Sequence, residues 1–345
     1  EYYNTKTKDV IWNKALPVIN GAFSPDGGPK ANYTTNLNMC ETSNKGFELA
    51  LNTRNIITKN FTWSSSVTFN HNKEKITKLS GGDSDVLNNG DTGYALALGE
   101  AINSYYHYKL DGVWQKGEET DAAVFGAAPG DLKINIPNLV KESDGRFYKI
   151  DEETGSAAVD ENGNVIYYTS DNKYTPSDAD YQILGHNSPD WSLGFQNNFT
   201  WKDFDLSVFV YARYGQMFAY DMLTSYDPKG IRNFPTYFNY WTENNPSNDF
   251  PAANANKGLE QYTGYYALRY VDGSFIKIKN ITLGYSLPKS ILKSAGIEKC
   301  RFYATITNPF VFAKSHLLKD YDPEMNGSLK YPLTKQFVFG VNVTF

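Results

Sequence analysis

The stretch that decides the fold is Gln336-Phe337-Val338-Phe339-Gly340-Val341-Asn342-Val343-Thr344-Phe345. Phe337, Phe339, Val341, Val343 and Phe345 are apolar, Gln336, Gly340, Asn342 and Thr344 interleave with them, and Val338 alone breaks the polar side. A period of two sends successive side chains to opposite faces, so the segment reads as a strand with one apolar and one polar face. Upstream, Cys300, Phe302, Ala304, Ile306, Phe310 and Phe312 oppose Arg301, Tyr303, Thr305 and Thr307. Leu206, Val208, Val210 and Ala212 oppose Asp205, Ser207, Tyr211 and Arg213, and Leu193, Phe195, Phe199 and Trp201 oppose Ser192, Gln196, Asn198 and Thr200. Nearer the start, Phe47, Leu49 and Leu51 oppose Glu48, Asn52 and Arg54, while Phe61, Trp63, Val67 and Phe69 oppose Thr62, Ser64, Ser66, Thr68 and Asn70.

These alternating runs exceed the usual 5 to 6 residues of soluble strands by about twofold. Strands of that length, tilted by about 40°, cross a hydrocarbon layer. The pattern predicts an all-β, transmembrane antiparallel barrel segment of ten strands, roughly 1–12, 44–55, 61–78, 93–99, 103–115, 191–201, 204–216, 272–287, 299–313 and 334–345. Short links at 55–60, 99–102 and 202–203 and a modest one at 288–299 alternate with long polar links at 13–43, 79–92, 116–190, 217–271 and 313–333. A barrel with short periplasmic turns and long extracellular loops has that rhythm. A soluble β-sandwich or solenoid shares the alternation but not the strand length.

Composition agrees once it is split by face. The 345 residues carry a formal charge of −5, 41% apolar residues, 26 Tyr, 21 Phe and 6 Trp. Their mean hydropathy of −0.51 looks water-soluble, yet it averages an apolar face with a polar face and polar loops. No apolar run approaches the ~18 residues of a spanning helix. An acidic chain without a Lys/Arg tract does not bind nucleic acid through backbone charge. Cys40 and Cys300 make no disulfide framework, and His71, His107, His186 and His316 lack metal-ligand spacing. With Glu1 first and no leader, the sequence reads as a processed or internal piece.

Specific stretches carry a family resemblance. Glu1–Tyr3 with Thr7, Lys8, Asp9 and Val10, Asn44-Lys45-Gly46-Phe47-Glu48, and Gly273-Ser274-Phe275-Ile276-Lys277-Ile278-Lys279-Asn280-Ile281-Thr282-Leu283-Gly284-Tyr285 are similar to the C-terminal barrel portion of SusC/RagA-type TonB-dependent transporters of Bacteroidetes. Leu287-Pro288-Lys289, Thr307-Asn308-Pro309-Phe310, Tyr321-Asp322-Pro323-Glu324, Tyr331-Pro332-Leu333 and the terminal aromatic Phe345 continue the resemblance in order along nearly the whole chain. The terminal strand also resembles the assembly signal of outer-membrane proteins, with Val338 where a polar residue often sits. The resemblance implies that residues 1–345 are the C-terminal portion of a plugged barrel of about 22 strands, with plug and N-terminal strands outside this sequence. It further implies energised, TonB-dependent import of oligosaccharides together with a SusD-like surface lipoprotein, in the bacterial outer membrane. Implied partners are that lipoprotein, TonB, outer-membrane lipid, and surface glycan-binding or glycan-degrading lipoproteins, in a dimer of SusC–SusD pairs. The alternatives are an oligopeptide importer of the same family and a non-transporting adhesive surface barrel.

Transport needs no covalent chemistry, and no acid/base pair, nucleophile or phosphate loop argues for an enzyme. No cofactor is expected. Asp160-Glu161-Asn162-Gly163-Asn164 resembles a calcium loop but lacks the Asp-Gly pair and twelfth-position acid of an EF-hand, so a turn at Asn162-Gly163 is favoured over a calcium ion there. Sugars bind through aromatic faces for their C–H surfaces and planar polar groups for their hydroxyls. Loop 217–271 concentrates both, and Tyr237, Tyr240, Trp241, Asn239, Glu243 and Arg232 are the candidates for substrate or lid contact. The bland alternative is that these aromatics order the loop by packing. Glu48, Lys109, Asp111, Asp205, Tyr211, Arg213 and Arg301 are the lumen-facing candidates, against a reading as solvated wall or plug contacts. Phe61, Trp63, Phe199, Trp201, Tyr285 and Phe345 fit an aromatic girdle.

Overall fold

The computed structural model describes residues 1–15, 34–79, 86–89, 94–226, 228–229, 235–293 and 296–345. Its backbone is one antiparallel wall of eight strands: β1 (Tyr2–Ala15), β2 (Thr34–Ile57), β3 (Phe61–Leu79), β4 (Trp191–Trp201), β5 (Phe204–Tyr214), β6 (Phe275–Ser286), β7 (Lys299–Ala313) and β8 (Gln336–Thr344). Each pairs with its neighbours in chain order. Up-and-down connectivity with every neighbour antiparallel is the barrel pattern, because tight turns can join antiparallel strands directly.

Register places all the alternating residues consistently. Leu51, Val67, Phe195 and Val210 form one row, and Leu206, Leu283, Ala304 and Phe339 another. These rows face outward, where Leu49, Ile276, Phe302, Phe310, Phe337 and Phe339 are exposed. Such exposure would cost about 25 cal/mol per Å² in water and is favourable against lipid. At the short-turn end Trp63 stacks on Phe199 (5.8 Å), Trp201 on Phe204 (6.2 Å), and Phe204 meets Tyr285 (4.7 Å), giving a belt of rings.

The wall holds eight of the expected strands, and the other two segments pair elsewhere. Residues 93–99 and 103–115 contain Tyr94–Ala97, Ser104–His107 and Lys109–Val113, which join small separate sheets within the link 80–190. Four or five residues cannot cross a layer that needs about 9–11. Ala95, Leu96 and Ala97 are buried in succession, without the alternation of a half-lipid strand. The turn 99–102 therefore belongs to a loop hairpin, tied to β3 through Gly99 N–H to Ile76 O and Ile76 N–H to Glu100 O, both 2.8 Å.

β2 and β3 are longer than a bilayer requires, at 24 and 19 residues. Beyond Lys45 and Lys73 the hairpin continues, and there Cys40 and Ile76 are buried against Leu96 of the loop hairpin instead of facing lipid. Cys40, expected in a loop, lies in that extension opposite Leu79, while Cys300 pairs with Val343 at the short-turn end. Both are buried free thiols.

The long links fold into a cap. Val113 and Leu132 from 80–190, Phe218, Phe238, Trp241 and Phe250 from 215–274, and Leu318 from 314–335 share one buried cluster. Phe238 lies flat on Phe250 at 4.1 Å and 7°.

Candidate functional site

The inner face of the wall is built largely from polar side chains, whose hydroxyls and amides bridge neighbouring strands as rungs. Gln196 donates to Ser207 Oγ (2.6 Å), Thr282 and Thr305 meet at 2.9 Å, and Thr307 donates to Asn280 Oδ1 (3.1 Å). Among the lumen-facing candidates, Glu48 accepts from Asn70 (2.9 Å). Asp205 is gripped by Arg301 through Nε (2.8 Å) and Nη2 (2.5 Å), a fork-to-fork pair with strong directionality. Gly284 makes room for it, since a Cβ there would lie 2.4 Å from both Arg301 and Asp205. Arg213 donates to Tyr211 OH (2.7 Å) and lies over its ring at 5.4 Å, with Lys279 at 5.2 Å from the same ring. Tyr211, Arg213, Lys277 and Lys279 thus gather near the long-loop end.

Lys109 and Asp111 do not line the wall. They lie in the short strand Lys109–Val113, paired with Leu132–Asn135 inside the cap, where Lys109 is exposed and Asp111 accepts from Asn135 (2.9 Å). Their segment is too short to span, for the reason given above.

The loop candidates divide by burial. Trp241 is 8% exposed and donates its indole N–H to Gln115 Oε1 (2.9 Å), so it belongs to the cap core and not to its surface. Gly130 permits this approach, because a Cβ there would sit 2.8 Å from the indole. Tyr237 is half-buried edge-on to Phe238 (5.2 Å). Asn239, Tyr240 and Glu243 stay exposed: Asn239 donates to Asp249 (3.1 Å), and Glu243 accepts from Lys116 (3.0 Å). Arg232 lies outside the described residues.

Two arrangements were not foreseen from the residues. Lys277, fully buried on β6, is held by Asp322 Oδ2 (2.5 Å) and Glu324 Oε2 (2.8 Å), while Lys279 takes Glu324 Oε1 (2.6 Å). Burial alone would raise the Glu324 carboxyl, but the two ammonium groups outweigh it and hold the group below the ordinary carboxylate range. Two lysines spaced by two on an otherwise apolar and amide strand were the available signal. The second is a ring cluster in which His107 stacks on Tyr181 (4.8 Å, 13°) and lies 5.7 Å from Tyr270. Burial, then the charge of Arg269, lowers His107 to about 4, so it is neutral, and its Nδ1 accepts the Tyr108 N–H (2.9 Å). A cleft of about 430 Å³ beside it is lined by Tyr108, Lys109, Asn248, Asp249 and Tyr270 among others.

No group of three or more His, Cys, Asp or Glu among the described residues could hold a metal. At the calcium-like stretch, Asp160 accepts from Asn162 N–H, Asn164 N–H and the Asn164 amide, closing a turn on itself.

No family model matches the chain. It is 28% identical over 367 residues to TonB-dependent receptor P3 of Formosa agariphila, covering 100% of this chain and 32% of that protein. To TonB-dependent receptor SusC of Bacteroides thetaiotaomicron it is 26% identical over 353 residues, covering 99% of this chain and 29% of that protein. The chain spans about a third of the length of the curated relatives it matches. Those relatives are named as receptors and not as enzymes, in keeping with the expectation of no catalysis. In fold it matches the RagAB peptide transporter with a TM-score of 0.69, at 23% identity over 100% of this chain and 33% of that one. In sequence along its whole length the chain is similar to about a third of TonB-dependent receptors such as SusC, and in fold to about a third of a RagAB transporter chain.

Proposed function

We propose that the protein containing this chain is a TonB-dependent importer of the outer membrane that takes up oligosaccharides together with a SusD-like surface lipoprotein. The observation that carries the reading is the similarity to TonB-dependent receptors along the whole chain, from strand to strand through the long links. In this reading the chain is one part of a plugged barrel of about 22 strands, with plug and TonB contact supplied by other segments. The long-loop end faces the exterior and the short turns face the periplasm. The lipoprotein closes over the cap, and the pairs assemble as dimers. No cofactor takes part.

The cap and upper wall supply the recognition surface. Exposed Tyr240 with Asn239 and Glu243 offers a ring beside planar polar groups, which suits sugar C–H faces and hydroxyls. Tyr211, Arg213 and the amide rungs of the wall continue polar contacts inward, while Glu48, Asp205 and Arg301 spend their charge on neighbours in the wall. Oligopeptides are the second reading, favoured by the match to a barrel described as a peptide transporter. Binding and uptake of oligosaccharides and peptides by the full-length protein with its lipoprotein, in cells with and without TonB, test both. Uptake that persists without TonB would overturn the transport mechanism.

A further inference from the structure

β8 starts at Gln336, which pairs with Thr307, so residues 308–313 of β7 run on without β8 beside them. The returning end of loop 314–335 occupies that side, pinned where Asn308 Nδ2 donates to Thr334 O (3.0 Å). Between them lies a cleft of about 610 Å³. Its lining contains Lys319, Lys330 and Lys335, all exposed, and none is within ion-pair distance of a carboxylate among the described residues. The lining acids are Asp320 and Asp322, and Asp322 is already engaged by Lys277, so the cleft keeps excess positive charge.

The surroundings are apolar. Phe310 and Phe312 project outward from β7, 52% and 60% exposed, with parallel rings 6.5 Å apart. Leu329, Tyr331 and Leu333 are exposed along the loop, Tyr331 at 94%. The three lysines share the cleft with Phe310 and Phe312, and cations beside exposed rings match an amphiphile with an anionic head, because each half of the ligand finds its own solvent.

We propose that this cleft binds the phosphate-bearing headgroup of an outer-leaflet lipid, with Lys319, Lys330 and Lys335 on the phosphate and the acyl chains against Phe310 and Phe312. The placement rests on the proposed orientation, with the long-loop end outward. Inorganic phosphate shares the head's chemistry but gains nothing from the rings.

The test uses the full-length protein in neutral maltoside detergent, titrated with dodecyl phosphate and followed by native mass spectrometry. Wild type should bind it at least ten-fold more tightly than the triple variant Lys319→Gln/Lys330→Gln/Lys335→Gln, and the Arg triple variant should retain binding. Heat-modifiable gel migration confirms that each variant is assembled. Inorganic phosphate in excess should leave the complex intact; displacement would mean a free-anion site and overturn the lipid assignment. Absence of binding by wild type would mean that the rest of the barrel fills the cleft, and equal binding by the Gln variant would remove the lysines from the site. Either result would leave TonB-dependent uptake, measured separately, unaffected as evidence for transport.

Discussion

Lys277 Nζ lies 2.5 Å from Asp322 Oδ2 with no exposed surface, joining β6 of the wall to loop 314–335. The two residues are 45 positions apart, and Glu324 completes the grip from the same loop. The loop is therefore fastened to the inner wall by ions, at a site screened from water.

Breaking that fastening should be costly. Lys277→Met takes away the ammonium held 2.5 Å from the largely shielded Asp322, and losing one partner of a buried pair costs about 3–5 kcal/mol. Trypsin should then cut at Lys319 and Lys330 in the full-length protein at a rate raised by an order of magnitude or more. Adding Asp322→Leu should restore much of the protection. Unchanged cleavage in Lys277→Met would show that the loop is held by other contacts.

Acid should loosen the same loop. Glu324 is held below its ordinary value, so its contribution is fully present above the unfolded-chain pKa of about 4.3. That contribution is lost as pH falls through the depressed folded value. Amide-exchange protection of 314–335 should stay level from pH 7 to about 5 and fall below about 4. Glu324→Gln should flatten this response, and a loss of protection already at pH 6 would contradict the assignment.

Tyr240 and Trp241 should part company although they are adjacent. Trp241 sits in the cap core and Tyr240 is 40% exposed. Trp241→Ala should cost about 3–5 kcal/mol of cap stability and lower uptake through misfolding. Tyr240→Ala should leave thermal stability within about 0.5 kcal/mol and still weaken uptake several-fold. Normal uptake by Tyr240→Ala would remove this residue from substrate recognition.

Gly340 tests the inner packing of β7 and β8. A Cβ at this position would lie 2.3 Å from the Tyr303 ring, which must then swing away. Gly340→Ala should destabilise the wall by about 1–3 kcal/mol. The temperature of the heat-modifiable gel shift should fall accordingly, and Tyr303→Ala in the same chain should recover most of the loss.

The membrane wall was legible because each strand meets lipid on one side and polar surroundings on the other. That difference writes a period of two into Phe337 to Phe345, Leu193 to Trp201 and Leu49 to Arg54. Residues 93–99 and 103–115 misled because short loop strands, whether buried in succession like Tyr94–Ala97 or alternating like Lys109–Val113, resemble broken spanning strands when only composition is read. Trp241 looked like a surface platform because a loop aromatic has the same sequence appearance whether it packs inward or outward. Its burial depends on Phe250 of the same link and on Gln115, which reaches it only once two links have folded together.

By itself, then, the sequence determined the alternating wall, its outward aromatic face and its polar interior, since these follow from local periodicity and the solvent on each side. Tertiary structure alone decided that eight of the segments form the wall, that the others build a cap, and that Lys277 meets Asp322. Those outcomes depend on long-range pairing, where register and burial are shared between residues that no local pattern connects.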